Sequence, residues 1–244
     1  MSTAEAVRDD LAIETLSGHV PTSLWRPRKV QPTGVVALLA HGGGGNKTSP
    51  RHERFASALA AEGISCLAID GPFHGERRPI GDGPYDYQQR VVEEGPVRVH
   101  ERMCTDWLTV VDAVADDGLI DATNLAFFGM SMGGRYGLLT CAMLGDRLRG
   151  AVFGKFGLQS TPEMSSMADN SVIRQAAQSI SAPVLMHVQW DDEIFTRAGQ
   201  FELFGLFASP DKQLRARPGK HAVTHPEDDH SWCSFLVDCL AKAS

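Results

Sequence analysis

A serine between two glycines is the first feature of this sequence that suggests chemistry. Ser131 lies in Gly129-Met-Ser-Met-Gly133, which has the form G-x-S-x-G, after an apolar run at 125–128 and before a helical pattern at 134–144. A sharp strand-to-helix turn strains the serine backbone, and the glycines relieve crowding. The N–H groups at the start of the helix favour negative charge there. A glycine-rich turn whose serine only caps a helix is the alternative, but this context favours a nucleophile.

A second glycine cluster, HGGGGNK, starts at His41 after an apolar run at 35–40. A serine that attacks an ester forms a tetrahedral oxyanion, which fixed N–H donors must stabilise, and glycines let the backbone come close to it. We predict that the donors are the N–H of Gly43 or Gly44 and that of Met132. A phosphate loop is the alternative, but the segment fits neither G-x-x-x-x-G-K-[ST] nor G-x-G-x-x-G. His41 is interpreted as a structural residue that holds the loop.

Nine histidines compete for the role of general base. A serine on such a turn is followed along the chain by the acid and then by the histidine, which leaves four candidates: His187, His221, His225 and His230. His187 lies inside an apolar run and is predicted to face the core. His221 follows a predicted edge strand and a Pro-Gly turn, at the end of the sheet where ligand sites form. We predict His221 as the base, and His230 is the second choice.

The acid should follow the apolar run at 184–188, where Asp191, Asp192 and Glu193 offer three carboxylates. Its task is to orient the imidazole and to stabilise the imidazolium that forms. Spacing alone does not choose between the three. The histidines near 221–230, together with the carboxylates at 227–229, could suggest a metal site. We interpret that stretch as a polar loop interrupted by proline, without a helical HExxH pattern, and predict no metal.

Short β-rich runs alternate with helical patterns, which predicts an α/β fold with a mainly parallel sheet and helices on both faces. The predicted strands are 35–40, 64–69, 125–128, 151–153, 184–188 and a more polar edge strand at 213–217, with an antiparallel pair from 13–25 at the other edge. The predicted helices are 52–62, 99–114, 134–144, 196–207 and 231–242. Two stretches, 71–96 and 155–181, show neither the helical nor the strand spacing of apolar residues, and long irregular segments are often functional. We predict a single domain, 1–244, with a small lid segment at 155–181.

The composition narrows the partners and the compartment. A net charge of -7 without a basic stripe argues against nucleic acid and anionic membranes as partners. The N-terminus is acidic where a secretory signal would be basic, and no apolar run is long enough to span a bilayer. Scattered cysteines without a CxxC pair indicate buried thiols and not a disulfide framework: Cys66, Cys104, Cys141, Cys233 and Cys239. These features predict a cytoplasmic protein, and we expect a monomer or homodimer that acts on a small-molecule ester.

The motifs together resemble the α/β-hydrolase superfamily, in its dienelactone-hydrolase-like and small serine esterase branch. Many relatives carry a D-E-[IV] segment whose aspartate is the triad acid, which implies Asp192 here. Relatives also carry the histidine shortly after a final strand and a glycine turn, which implies His221. The resemblance covers the chain from Val35 to the last helix and rests on HGGGGNK (41–47), DGPFHGER (70–77), GMSMGG (129–134), WDDEIF (190–195) and PGKH (218–221).

Three departures limit what the resemblance implies. Dienelactone hydrolases proper have cysteine where Ser131 stands, so their substrate does not transfer. Haloalkane dehalogenases have aspartate there, so their chemistry does not fit either. No large cap domain is inserted, only the modest segment 155–181.

The predicted function is hydrolysis of a small to medium carboxylic ester through an acyl-enzyme, without a cofactor. Gly44, Trp190 and Met164 are predicted to contact the substrate. A thioesterase or acyltransferase with the same triad is an alternative that the sequence leaves open. A non-catalytic ligand-binding protein on a hydrolase scaffold is another.

Overall fold

The computed structural model describes residues 5–30 and 32–241, and one sheet of eight strands organises these residues. The strand order is β1-β2-β4-β3-β5-β6-β7-β8. Strands β3 to β8 are parallel, whereas β2 pairs antiparallel with both β1 and β4. The strands are β1 (Ala6–Thr15), β2 (Gly18–Pro27), β3 (Val36–Ala40), β4 (Ser65–Ile69), β5 (Leu125–Met130), β6 (Leu148–Gly154), β7 (Val184–Gln189) and β8 (Lys212–Arg217). The predicted mainly parallel sheet is confirmed.

Helices cover both faces of this sheet because its central strands are apolar on both sides. In β3, Val36 and Leu38 belong to one buried cluster, while Leu39 belongs to the other. The first cluster packs under α3 and α4 and the second under α1 and α8. The helices are α1 (Pro50–Ala61), α2 (Tyr87–Glu94), α3 (Pro96–Asp116), α4 (Met132–Leu144), α5 (Pro162–Ser165), α6 (Asn170–Ser179), α7 (Arg197–Leu206) and α8 (Pro226–Ala241).

The two stretches expected to be irregular contain helices. Residues 71–96 include α2, and residues 155–181 include α5 and α6. In α6, Ile173, Ala176 and Ala177 are buried at helical spacing, but two of them are small and the neighbours are polar, so the period is weak in the sequence. The expectation of an irregular 155–181 segment is therefore wrong. Its buried residues place much of the segment in the core.

The last helix also begins earlier than predicted. Pro226 opens α8, and Glu227, Asp228 and Asp229 form its first turn. Proline suits the first helical position because a backbone N–H there has no acceptor within the helix, so its absence loses no hydrogen bond. Carboxylates suit the positive end of the helix dipole. The stretch interpreted as a polar loop at 227–229 is therefore the start of a helix. Lys242, the last residue of the predicted helix, lies outside the described residues.

The carboxyl ends of the parallel strands meet at one edge of the sheet, and the sequence motifs meet there with them. The glycine loop follows β3, Ser131 follows β5, and Lys155 follows β6. Asp192 lies on the loop after β7, and His221 on the loop after β8. Since ligand sites in open α/β sheets form outside these carboxyl ends, the topology brings residues far apart in the chain into one place.

None of the helices in the described ranges is long and apolar enough to cross a membrane. Four of the five cysteines are buried, and Cys233 is half-buried.

Candidate active site

Ser131 occupies a strained turn between β5 and α4. Its φ of 56° lies in the left-handed region, which a residue with a side chain rarely adopts. The Ser131 N–H donates to the carbonyl of Gly154 at 2.8 Å, which fixes the turn against β6. A Cβ on Gly133 would lie 2.6 Å from the carbonyl oxygens of Ala40 and His41, so only glycine lets the start of α4 pack against the end of β3. The second glycine of the motif therefore has a steric reason.

His221 and Asp192 form one hydrogen-bonded chain with this serine. His221 Nε2 lies 2.9 Å from Ser131 Oγ, and His221 Nδ1 lies 2.8 Å from Asp192 Oδ2. The Asp192 side chain is fully buried, and its Oδ1 accepts the N–H groups of Ile194 and Phe195 at 2.8 and 2.9 Å. With the aspartate at Nδ1, the neutral imidazole carries its proton there and presents a lone pair to the serine hydroxyl. This arrangement can accept the serine proton.

The two carboxylates beside Asp192 hold the loop 218–225, which we call the base loop, by its backbone. Asp191 Oδ2 accepts the N–H of Gly219 at 2.9 Å, and Glu193 Oε2 accepts the N–H of His221 at 2.9 Å. This hydrogen bond from His221 lowers the pKa of Glu193. All three acids therefore contact the base loop, but only Asp192 contacts the imidazole ring.

Two buried histidines support the glycine loop. His41 is interpreted correctly as structural: its Nδ1 lies 2.9 Å from the carbonyl oxygen of Gly42, and its Nε2 accepts the N–H of Gly71 at 3.0 Å. His74 Nε2 lies 2.9 Å from the carbonyl oxygen of Gly43. Burial lowers the pKa of both histidines to about 4, so both rings are neutral at pH 7. The loop is thus held by uncharged contacts close to the serine.

A cleft of about 490 Å³ opens at Ser131 and His221. The glycine loop forms one wall, and Tyr87 packs directly on it: a Cβ on Gly43 would lie 2.1 Å from the Tyr87 hydroxyl oxygen. Only glycine at this position leaves room for the phenol ring.

A second and much smaller pocket, of about 20 Å³, also opens on Ser131. Met132, Met164, Met167 and Phe195 contribute to its walls, and the described residues that line it do not include His221. The nucleophile therefore lies between a wide cleft that contains the imidazole and a narrow pocket that does not.

Comparison with known proteins agrees with this fold. A sequence model of the Alpha/beta hydrolase family matches residues 37–240, most of the chain. The chain belongs to the α/β-hydrolase family. A cold-adapted esterase from an Arctic intertidal metagenomic library is similar over 98% of this chain and 97% of its own, at 26% identity and a TM-score of 0.81. A comparison with curated proteins gives no match.

Two further solved structures share the fold. A putative dienelactone hydrolase from Klebsiella pneumoniae subsp. pneumoniae is 19% identical, covers 97% of this chain and 99% of its own, and has a TM-score of 0.74. An acetyl xylan esterase from Paenibacillus sp. R4 is 18% identical, covers 97% and 85%, and has a TM-score of 0.74. The predicted α/β-hydrolase family is confirmed, and the solved structures that share its fold include an esterase and a putative dienelactone hydrolase.

Most of the residues singled out from the sequence lie together in this α/β-hydrolase. Gly43, Gly44 and Met164 line the cleft, and Met132 lines the small pocket. Trp190 lies elsewhere: it is 40% exposed, and its ring packs under the Arg197 guanidinium at 3.8 Å. Its neighbour Asp191 is exposed as well, so the chain turns inward only at Asp192.

The other three histidines considered for the role of base do not line the cleft. His187 is fully buried in β7, so its predicted place in the core is confirmed. His225 and His230 line a different cavity, between α1 and α8. Within residues 5–30 and 32–241, no group of three or more His, Cys, Asp or Glu side chains is placed to hold a metal ion.

Sequence reasoning did not single out Arg51, Arg135 or Lys155, although all three line the cleft or the small pocket. Arg51 and Arg135 lie on helices, and nothing in their local sequence distinguishes them from surface arginines. Lys155 had a usable signal, because it directly follows a parallel strand at the edge where such sites form.

Proposed function

We propose that this α/β-hydrolase cleaves carboxylic esters by nucleophilic attack of Ser131 and passes through an acyl-enzyme. One observation carries the proposal: Asp192, His221 and Ser131 form an unbroken hydrogen-bonded chain with contacts of 2.8 and 2.9 Å. Such a chain is the general arrangement that activates a serine hydroxyl. The similarity to the Arctic esterase, at 26% identity over nearly the whole chain, supports an ester as the substrate.

The steps follow from this arrangement. His221 takes the hydroxyl proton as Ser131 Oγ attacks the carbonyl carbon, and the buried Asp192 carboxylate stabilises the imidazolium without accepting its proton. The carbonyl oxygen becomes an oxyanion, for which the N–H groups of Gly43 and Met132 are the proposed donors. His221 then protonates the alcohol as it leaves. It next takes a proton from water as the water oxygen attacks the acyl carbon, and it returns this proton to Ser131 Oγ when the acyl–serine bond breaks and the acid is released.

The two pockets suggest which part of the ester lies where. The leaving alcohol must lie close to His221, which protonates it, and His221 lines the wide cleft of about 490 Å³. The acyl group then occupies the pocket of about 20 Å³ on which Ser131 also opens. A pocket of that size holds one group about as large as a water molecule. We therefore propose a short acyl group, of acetyl size, on a larger alcohol.

Two measurements test this proposal. Intact-mass analysis after exposure to a fluorophosphonate should show one adduct on the wild type and none on Ser131→Ala. Hydrolysis of p-nitrophenyl esters should be fastest for acetate, and kcat/KM should fall with each added methylene, since one methylene in an apolar pocket is worth about 1–3 kcal/mol.

The outcomes separate the alternatives. Absence of an adduct would contradict a serine nucleophile and favour a binding protein. Faster turnover of acyl-CoA than of any oxygen ester would favour a thioesterase. A maximum at longer chains would contradict the assignment of the small pocket to the acyl group.

A further inference from the structure

Lys155 connects the nucleophile side of the site to the base loop. Its Nζ donates to three groups on that loop: the carbonyl of His221 at 3.1 Å, the hydroxyl of Thr224 at 2.8 Å, and the carbonyl of Val223. The first of these carbonyls belongs to the residue whose ring contacts Ser131. The three acceptors span the segment 221–224, so one side chain holds two carbonyls and a hydroxyl of the turn that begins at His221.

The backbone at Lys155 is fixed next to the nucleophile. Lys155 directly follows Gly154, whose carbonyl accepts the N–H of Ser131 at 2.8 Å. Its own N–H donates to the carbonyl of His187 in β7 at 3.2 Å. Lys155 also adopts a φ of 58°, in the left-handed region that costs a residue with a side chain free energy. The backbone thus stays in a strained conformation that aims the side chain at the base loop.

The burial of Lys155 indicates that its ammonium group has a role other than keeping the protein surface soluble. The residue is only 3% exposed, and its three hydrogen-bond acceptors are uncharged. Burying an ammonium without a directly paired carboxylate is costly, and an apolar residue of similar size would avoid that cost.

We propose that Lys155 is a positioning residue, which holds His221 at the distance from Ser131 that proton transfer requires. The inference rests on the proposed function. The charged form matters because an ammonium has three N–H donors for the three acceptors, whereas the neutral amine has two. Loss of one proton removes one of these hydrogen bonds.

The surroundings bring this proton loss into an accessible pH range. Burial, and then Arg51, lower the pKa of Lys155 from 10.5 to about 8. The carboxylates nearby raise it by a smaller amount. The charged and titratable groups that face Lys155 are Arg51 from α1, His187 and Asp192 from β7 and its following loop, and Asp228 and Asp229 from α8. Burial lowers the pKa of His187 to about 4, so His187 stays neutral throughout this range.

Lys155→Met tests the proposal because it keeps the length of the side chain and removes every donor. We expect kcat and the rate of fluorophosphonate labelling to fall by about 10- to 100-fold with KM little changed, since a displacement of about 1 Å in a catalytic group costs about 10²-fold. Lys212→Met is a matched control. Lys212 Nζ also donates to three backbone carbonyls, those of Phe204, Gly205 and Phe207, but at the end of α7.

The labelling rates and their pH dependence decide the inference. If Lys155→Met lowers the melting temperature as Lys212→Met does but labels at the wild-type rate, Lys155 is merely structural. A wild type that is not labelled at all would instead contradict the serine mechanism itself. If Lys155→Met does not fold, the wild type decides: its labelling rate should fall as pH rises from about 7 to about 9.5, through the pKa of Lys155. A flat profile would overturn the proposal. A folded Lys155→Met should lack this decline.

Discussion

Asp192→Asn should inactivate the enzyme, and the structure explains why the amide cannot substitute for the carboxylate. Oδ1 of Asp192 accepts two backbone N–H groups, from Ile194 and Phe195. An asparagine must place its carbonyl oxygen there, because its NH₂ group would otherwise face two donors. The NH₂ group then points at His221 Nδ1, which has to act as an acceptor. The proton of the imidazole moves to Nε2 and faces Ser131, so the ring can no longer take the serine proton.

The magnitude follows from this change of tautomer. The same replacement in a serine protease triad lowers turnover by about 10⁴-fold, equivalent to about 5.5 kcal/mol of transition-state stabilisation. We expect an effect of that order here because the Asp192 side chain is fully buried and no water can replace it. The melting temperature should change much less, since the two backbone hydrogen bonds are kept.

Asp191→Asn and Glu193→Gln are matched controls from the same acidic run. Asp191 accepts the N–H of Gly219, and Glu193 accepts the N–H of His221. An amide oxygen can accept either hydrogen bond, and both side chains are exposed, so these variants should keep nearly full activity. The assay is kcat for p-nitrophenyl acetate, together with the fluorophosphonate labelling rate. Equal small losses in Asp191→Asn and Asp192→Asn would mean that the triad acid lies elsewhere, and a larger loss in Asp191→Asn would move the acid role to Asp191.

Three other outcomes follow from the same structure. Ser131→Ala should abolish ester turnover and leave the melting temperature unchanged or slightly higher, because it removes one hydroxyl from a strained turn. A kcat near that of the wild type would exclude Ser131 as the nucleophile. Met164→Ala should shift the preferred acyl chain to greater length at little cost in stability. Met167 is only 3% exposed, so Met167→Ala should lower the free energy of unfolding by about 2–5 kcal/mol in a denaturant titration. An unchanged ester profile in Met164→Ala would exclude that residue from acyl recognition. Acidification should destabilise the fold through its buried histidines. In the unfolded state a histidine binds a proton below a pKa of about 6.5, whereas burial lowers this pKa in the folded state. Each buried imidazole should therefore contribute about 2 kcal/mol less to stability at pH 5 than at pH 7. A melting temperature equal at both values would contradict this expectation for the five histidines whose pKa burial lowers to about 3 or 4: His41, His52, His74, His100 and His187.

Local sequence patterns were sufficient to predict several features of the fold and of the site. Apolar runs placed the six central and edge strands of the parallel sheet, although their ends differ by up to three residues. The glycine spacing around Ser131 and after β3 marked two turns, at positions where a side chain on Gly133 would meet the carbonyl oxygen of Ala40 and one on Gly43 would meet Tyr87. Chain order and a turn after the last strand pointed to His221, which the fold places 2.9 Å from Ser131.

Other features depend on contacts between segments that are far apart in the chain, and local patterns do not record them. From residue types alone, Asp191, Asp192 and Glu193 are equivalent, and what separates them is the direction in which each side chain leaves the loop after β7. Asp192 is the one whose carboxylate reaches the imidazole of His221, at 2.8 Å and 29 residues further along the chain. The role of Lys155 depends on a contact 66 residues away along the chain, with His221. Local sequence records the conformation of a few neighbouring residues, whereas such contacts arise when the parallel strands bring their carboxyl ends to one edge.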